Sequence, residues 1–143
     1  PHALTRTLRA LAEAAAVDDL VPLSVCATEL VRRLSPPGSP TRARVIHGPL
    51  EAVTPLSTDW WSSTVSFRDA LRVTVDDRKS TVPVDVTILV SPDGDRLYVE
   101  SMTGSADLPT AQYWASSFLW LLSCVGNQPD APLAAYALAG GTT

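Results

Sequence analysis

The chain has 143 residues, enough for one domain around one core. At 45% hydrophobic and 18% charged it is globular rather than disordered, and its formal net charge of −4 argues against a nucleic-acid ligand, whose phosphates demand basic contacts. No apolar run approaches the roughly 18 residues of a membrane span; the longest candidate, 118–122, is far too short.

Leu4, Leu8, Leu11 and Ala15 recur at helical spacing with Arg6, Arg9 and Glu13 between them, which predicts an amphipathic helix. Pro22 then reads as a break and Ser24 as the N-cap of a second helix. The apolar face of that helix is predicted to carry Cys26, Ala27, Leu30, Val31 and Leu34, with Arg32 and Arg33 in its last turn, where cations suit the helix dipole. Ser35-Pro36-Pro37-Gly38 ends it. Residues 36–60 carry five prolines and read as the least structured part, with 44–47 a brief edge strand. Residues 60–67 alternate, and Leu71, Val73 and Val75 alternate with Arg72, Thr74 and Asp76; both stretches read as strands. Val82, Val84, Val86, Ile88 and Val90 form a β-branched series in period two. Pro92-Asp93-Gly94 supplies a tight turn, and Leu97 and Val99 lie on the return strand. Asp107 and Pro109 open a third helix, whose buried stripe is predicted as Trp114, Phe118, Leu121, Leu122 and Val125. Its second half is apolar nearly all round, which predicts cover on more than one side. Gly126-Asn127 fits its C-cap.

The expected fold is therefore α+β: a sheet of about four strands, mostly antiparallel, with two to three helices packed on one face. Residues 1–135 form the domain and 136–143 a linker or tail.

Chemistry is sparse. His2 lies in the ragged start, and His47, in His47-Gly48-Pro49, reads as a solvated loop residue. No serine sits in a nucleophile motif and no glycine loop cradles phosphate. Asp76-Asp77 and Asp93-Asp95 lie in turns, where aspartate favours the backbone geometry, and the second pair lacks the further ligands of a calcium loop. Cys26 and Cys124 read as buried free thiols, and two cysteines without nearby histidine make no zinc site. No catalytic residue, metal or cofactor is expected. The aromatic residues favour binding over catalysis: Trp114 reads as core, and Trp60, Trp120 and Tyr113 are the candidate partner interface.

The order of motifs in the last 60 residues resembles the end of condensation domains from nonribosomal peptide synthetases. VDVTILVSPDGDRLYVES, then ADLPTAQYWASSFLWLLSCVGNQPDAPL, follows their sequence of strand, Asp-Gly turn, strand, long helix and P-D-x-P-L. Asp93-Gly94, Asp107-Leu108 and Pro129-Asp130-Ala131-Pro132-Leu133 carry the match. Upstream, Asp19, Pro22, Leu30, Val31 and Leu34 are similar to a degraded form of the family's H-Q-D-x-P-F-E-x-L-V-x-x-L segment, with Val17 or Asp18 in place of its histidine and Leu23-Ser24 in place of Phe-Glu. Wax-ester synthases and other chloramphenicol acetyltransferase-like enzymes end similarly; the P-D-A-P-L tail favours the peptide synthetase branch. The resemblance spans most of this chain but only the last third of a condensation domain, about half of one lobe. The family's His-His-x-x-x-Asp-Gly signature lies in the part not present, so no catalytic residue carries over.

The resemblance implies a non-catalytic, truncated condensation-like domain. It would be a cytoplasmic scaffold or docking surface in antibiotic biosynthesis, against an adjacent adenylation or carrier-protein domain. Ten arginines among eleven basic residues fit an actinobacterial-type, GC-rich source. The alternatives are the C-terminal portion of an active amide-forming domain completed by a missing lobe, and an unrelated α+β protein-interaction domain. A sheet cut short exposes edges, which predicts a homodimer or a tightly packed neighbour.

Overall fold

In the computed structural model the described residues are 2–34, 42–47, 49–54, 65–73, 84–90, 97–101 and 108–136. Two helices come first, α1 (His2–Ala14) and α2 (Leu20–Leu34). They are followed by strands β1 (Ala43–His47) and β2 (Leu50–Val53), helix α3 (Phe67–Val73), strands β3 (Val86–Val90) and β4 (Leu97–Ser101), and helix α4 (Leu108–Asn127). A single 3₁₀ turn, Leu133–Ala135, closes the described chain.

The sheet has four strands in the order β2-β1-β3-β4. The outer pairs β1–β2 and β3–β4 are antiparallel and the central pair β1–β3 is parallel. The hairpin predicted within 84–101 is present, with Ile88 opposite Val99; its turn lies outside the described residues. Alternation sends Ala43 and Val45 of β1, with Val86, Ile88 and Val90 of β3, into the core beneath the helices. Side chains also stitch the start of the sheet. Asp85 accepts the Arg42 amide through Oδ2 at 2.9 Å, and Thr54 Oγ1 accepts the Ala43 amide at 3.1 Å.

Helix α2 is the centre of the molecule. It touches β1, β2, α1, α3 and α4, and every residue from Leu20 to Val31 is buried. The predicted apolar stripe is there, but the helix is enclosed on all sides rather than amphipathic. Its start also differs from expectation. It begins at Leu20, whose amide is accepted by Asp18 Oδ1 at 3.1 Å. Pro22 sits in the first turn, where an N–H has no intrahelical partner to lose, so it does not break the helix. Ser24 lies inside the helix, buried, and is not its cap.

Helix α1 packs Leu8 and Ala12 against α2 and α4. It ends in a Schellman motif: Val17 N–H bonds Ala12 O at 3.0 Å and Ala16 N–H bonds Glu13 O at 3.1 Å. Ala16 takes the left-handed position of that motif, with φ of 59°.

Two further expectations are corrected. Residues 67–73 form a helix, not a strand. Ser66 Oγ caps it by accepting the Asp69 amide at 3.1 Å, and Phe67, Ala70 and Leu71 are buried at helical spacing. Residues 44–47 belong to a strand in the middle of the sheet, not at its edge, because both β2 and β3 pair with it. Four α-helices occur among the described residues, and the expected α+β arrangement of a sheet with helices packed on it is present. Helix α2 lies over β1 and β2, and α4 lies over β4. Asp76-Asp77, Asp93-Asp95 and residues 60–64 of the strand expected over 60–67 lie outside the described residues.

Candidate functional site

The expected buried stripe of α4 is present: Trp114, Phe118, Leu121, Leu122 and Val125 are all in the core. The helix is covered on more than one side, as expected, by α1, α2 and β4, while the side opposite the stripe is open to solvent. Leu119 is 49% exposed and Trp120 44%. Gln112, Ser116 and Asn127 share that side and are exposed, while Tyr113 and Ser123 are half-buried. Of the candidate partner residues, Tyr113 and Trp120 are seven apart, so they share one side of α4 about 10 Å apart along its axis. Trp60 lies outside the described residues.

His47 is the last residue of β1 and is 8% exposed, with Nδ1 3.4 Å from the Val90 carbonyl oxygen. It is not the solvated loop residue its neighbours Gly48-Pro49 suggest, because β1 extends through it and pairs it with Val90 and Leu50. His2 is in α1, and its side chain lies outside the described residues. Among the described residues no group of three or more His, Cys, Asp or Glu side chains could hold a metal ion, and no helix is long and apolar enough to cross a membrane.

The densest polar cluster joins the C-terminal half of α2 to residues 128–136. Glu29 is fully buried. Its Oε2 accepts Arg33 Nε at 2.5 Å and Arg32 Nη2 at 2.6 Å, and its Oε1 accepts Arg32 Nε at 3.1 Å. Burial alone would raise the pKa of this carboxyl, but hydrogen bonds from Arg32 and Arg33, with their positive charges, outweigh it and hold Glu29 below the ordinary glutamate value. Arg33 then reaches across to the C-terminal segment, donating to the Leu133 carbonyl at 2.5 Å and to the Tyr136 carbonyl.

That segment is held from its other side as well. Leu133 N–H bonds Val65 O at 2.8 Å and Arg68 N–H bonds Pro129 O at 2.9 Å. Arg68 Nε meets Asp130 Oδ1 at 2.8 Å, and Ser66 bridges Pro132. Leu133 and Tyr136 are buried, and the Tyr136 hydroxyl donates to the Gln128 carbonyl. Burial pushes the Tyr136 phenol up to about 12, with the nearby Cys124 and Cys26 thiols adding to the rise. Gln128–Tyr136 is thus a strap tied to α2 and to the start of α3, and Tyr136 belongs to the folded part rather than to the tail.

The two cysteines are free, Cys26 buried on α2 and Cys124 half-buried on α4. Burial raises the Cys26 thiol well above its usual value, with Glu29 and Cys124 contributing, and burial raises that of Cys124 against the opposing charge of Arg33. Neither is an activated nucleophile. The Glu29–Arg33 latch was missed in the sequence, although Glu followed at i+3 and i+4 by Arg is a readable pairing signal.

No family model matches this chain, and no curated protein is similar to it. The fold defines a small α+β protein whose mixed sheet is covered by helices, with a pinned C-terminal strap and one uncharged helix face open to solvent.

Proposed function

We propose that the chain is the closing part of a condensation-like domain that works in the cytoplasm as a non-catalytic scaffold, docking an adenylation or carrier domain of a peptide synthetase. The observation that carries this reading is the strap. Pro129-Asp130-Ala131-Pro132-Leu133, the segment that resembles P-D-x-P-L, is not a loose connector but is fixed by Arg33, Arg68 and the Val65 carbonyl. A segment held this way has a fixed place beside the C-terminal end of α2. It also presents Gln128, Asp130, Pro132 and Ala134 to solvent as a rigid ridge. A rigid ridge loses little conformational entropy when a neighbouring domain settles on it. The order hairpin, α4, strap also follows the family's order of elements.

Calorimetric titration with an adenylation or carrier domain tests this. Docking at a dissociation constant of about 1–100 μM is expected, weakened about tenfold by Asp130→Arg, which reverses a charge on the exposed ridge. No heat of binding with either domain at such concentrations overturns the proposal. A second reading, a protein-interaction domain unrelated to that family, draws its support from the absence of any family match. Binding to neither synthetase domain, with retained folding, is the outcome that favours it.

A further inference from the structure

We propose that the solvent-facing side of α4 is a two-fold contact for a second copy of this chain. The inference is independent of the synthetase reading above. Its first ground is charge. Helix α4 has 20 residues and not one is charged, in a chain that is 18% charged overall. Surface helices of such length ordinarily carry charges on their wet side. An uncharged side can be covered without desolvating an ion.

The second ground is the order of residues along the exposed side: Gln112, Ser116, Leu119, Trp120, Ser123, Asn127. Turn this series about the point midway between Leu119 and Trp120, as in an antiparallel contact of two identical helices. Gln112 then meets Asn127 of the other copy, amide against amide. Ser116 meets Ser123, hydroxyl against hydroxyl, and Leu119 meets Trp120. The half-buried flank follows the same rule, with Tyr113 opposite Gly126, a large side chain over the smallest. Every pairing occurs twice, as an isologous interface requires. The serines, seven residues apart, leave room on either side of the central Leu119 and Trp120, whose bulk sets the axes at the long end of the usual 8–10 Å range. The most exposed large apolar side chains stand at the centre, where interface anchors concentrate.

The strip from Gln112 to Asn127 is about 23 Å long and about 10 Å wide, on the order of 200 Å² per copy. A stable interface covers about 800 Å² per partner. The contact is therefore a weak, exchanging dimer, with a dissociation constant of about 10–100 μM.

Sedimentation velocity over about 5–500 μM reads this directly, within the range set by such a constant. The weight-average mass should rise from 15.2 kDa toward twice that value, and Trp120→Glu should hold it at the monomer. The antiparallel register has its own test. Gln112→Glu with Asn127→Glu sets like charges opposite each other at both ends. Gln112→Glu with Asn127→Lys sets opposite charges there. Within one helix these positions are too far apart to pair, so a dissociation constant about tenfold tighter for the second variant reports the contact between copies. Both positions are exposed, and far-UV circular dichroism confirms that each variant folds. A wild-type chain that stays monomeric throughout, equal association by the two double variants, or a synthetase domain that binds Leu119 and Trp120 with no self-association overturns the proposal.

Discussion

Replacing Glu29 with Gln keeps the shape of the latch and removes its charge. In the native protein the carboxylate is fully buried and is shared by Arg32 and Arg33, whose side chains are 32% and 14% exposed. Removing one partner of a buried pair costs about 3–5 kcal/mol, because the remaining charge is left uncompensated. Here the loss is smaller. Arg33 keeps its two carbonyl acceptors at Leu133 and Tyr136, and Arg32 reaches water. We expect about 2–3 kcal/mol, or roughly 4–12 °C in melting temperature for a domain of this size. Urea unfolding at neutral pH measures it. The pH dependence supplies an internal check. The folded-state pKa of Glu29 lies below its unfolded value, so its contribution is complete above the unfolded pKa and disappears as pH falls through the folded one. The gap between wild type and Glu29→Gln should therefore narrow as pH falls below the unfolded glutamate value and close once the folded carboxyl is protonated. A gap under about 0.5 kcal/mol at pH 7, or one that persists unchanged in acid, would refute the latch.

Other consequences can be measured on the same protein. Ala16→Gly relieves about 1–2 kcal/mol of left-handed backbone strain against about 0.4–1 kcal/mol of added unfolded-state entropy, so it should stabilise by about 0.5–1 kcal/mol; a loss of stability contradicts the αL assignment. Phe118→Ala should cost about 3–5 kcal/mol while Leu119→Ala, one residue on, changes stability by less than about 0.5 kcal/mol in dilute solution, and denaturant curves of the two separate the buried from the open side of α4. A disulfide reagent should leave Cys26 untouched until the chain unfolds and modify Cys124 slowly; rapid reaction of both thiols in the native protein contradicts their placement.

Much of the architecture was legible where one period ran long enough. Trp114, Phe118, Leu121, Leu122 and Val125 were read as one buried stripe because α4 runs for 20 residues without a competing pattern. The hairpin of β3 and β4 was equally plain from its alternating β-branched residues and Pro-Asp-Gly turn. Shorter segments gave way to context. Leu71 and Val73 alternate with Arg72 as a strand would, yet Ser66 caps a helix that Phe67, Ala70 and Leu71 can bury. Strand β1 is short and carries Arg44 and His47, and its central place depends on a parallel pairing with residues 43 positions away, which no local pattern encodes. Glu29, Arg32 and Arg33 look like any solvated helix face, and only the strap returning over α2 makes that face an interior. At the candidate interface, composition pointed to Trp120 and Tyr113 but not to the open side they occupy, because Leu119 and Trp120 extend the apolar run instead of interrupting it.

The most direct test of the scaffold reading is an amide-formation assay with carrier-bound donor and acceptor thioesters, read by mass spectrometry. The account predicts no peptide product from this chain alone, and none added by mixing it with a separately produced first lobe. An amide product in the first case, or its appearance on mixing, contradicts it; the second result makes the chain the completing portion of an active enzyme.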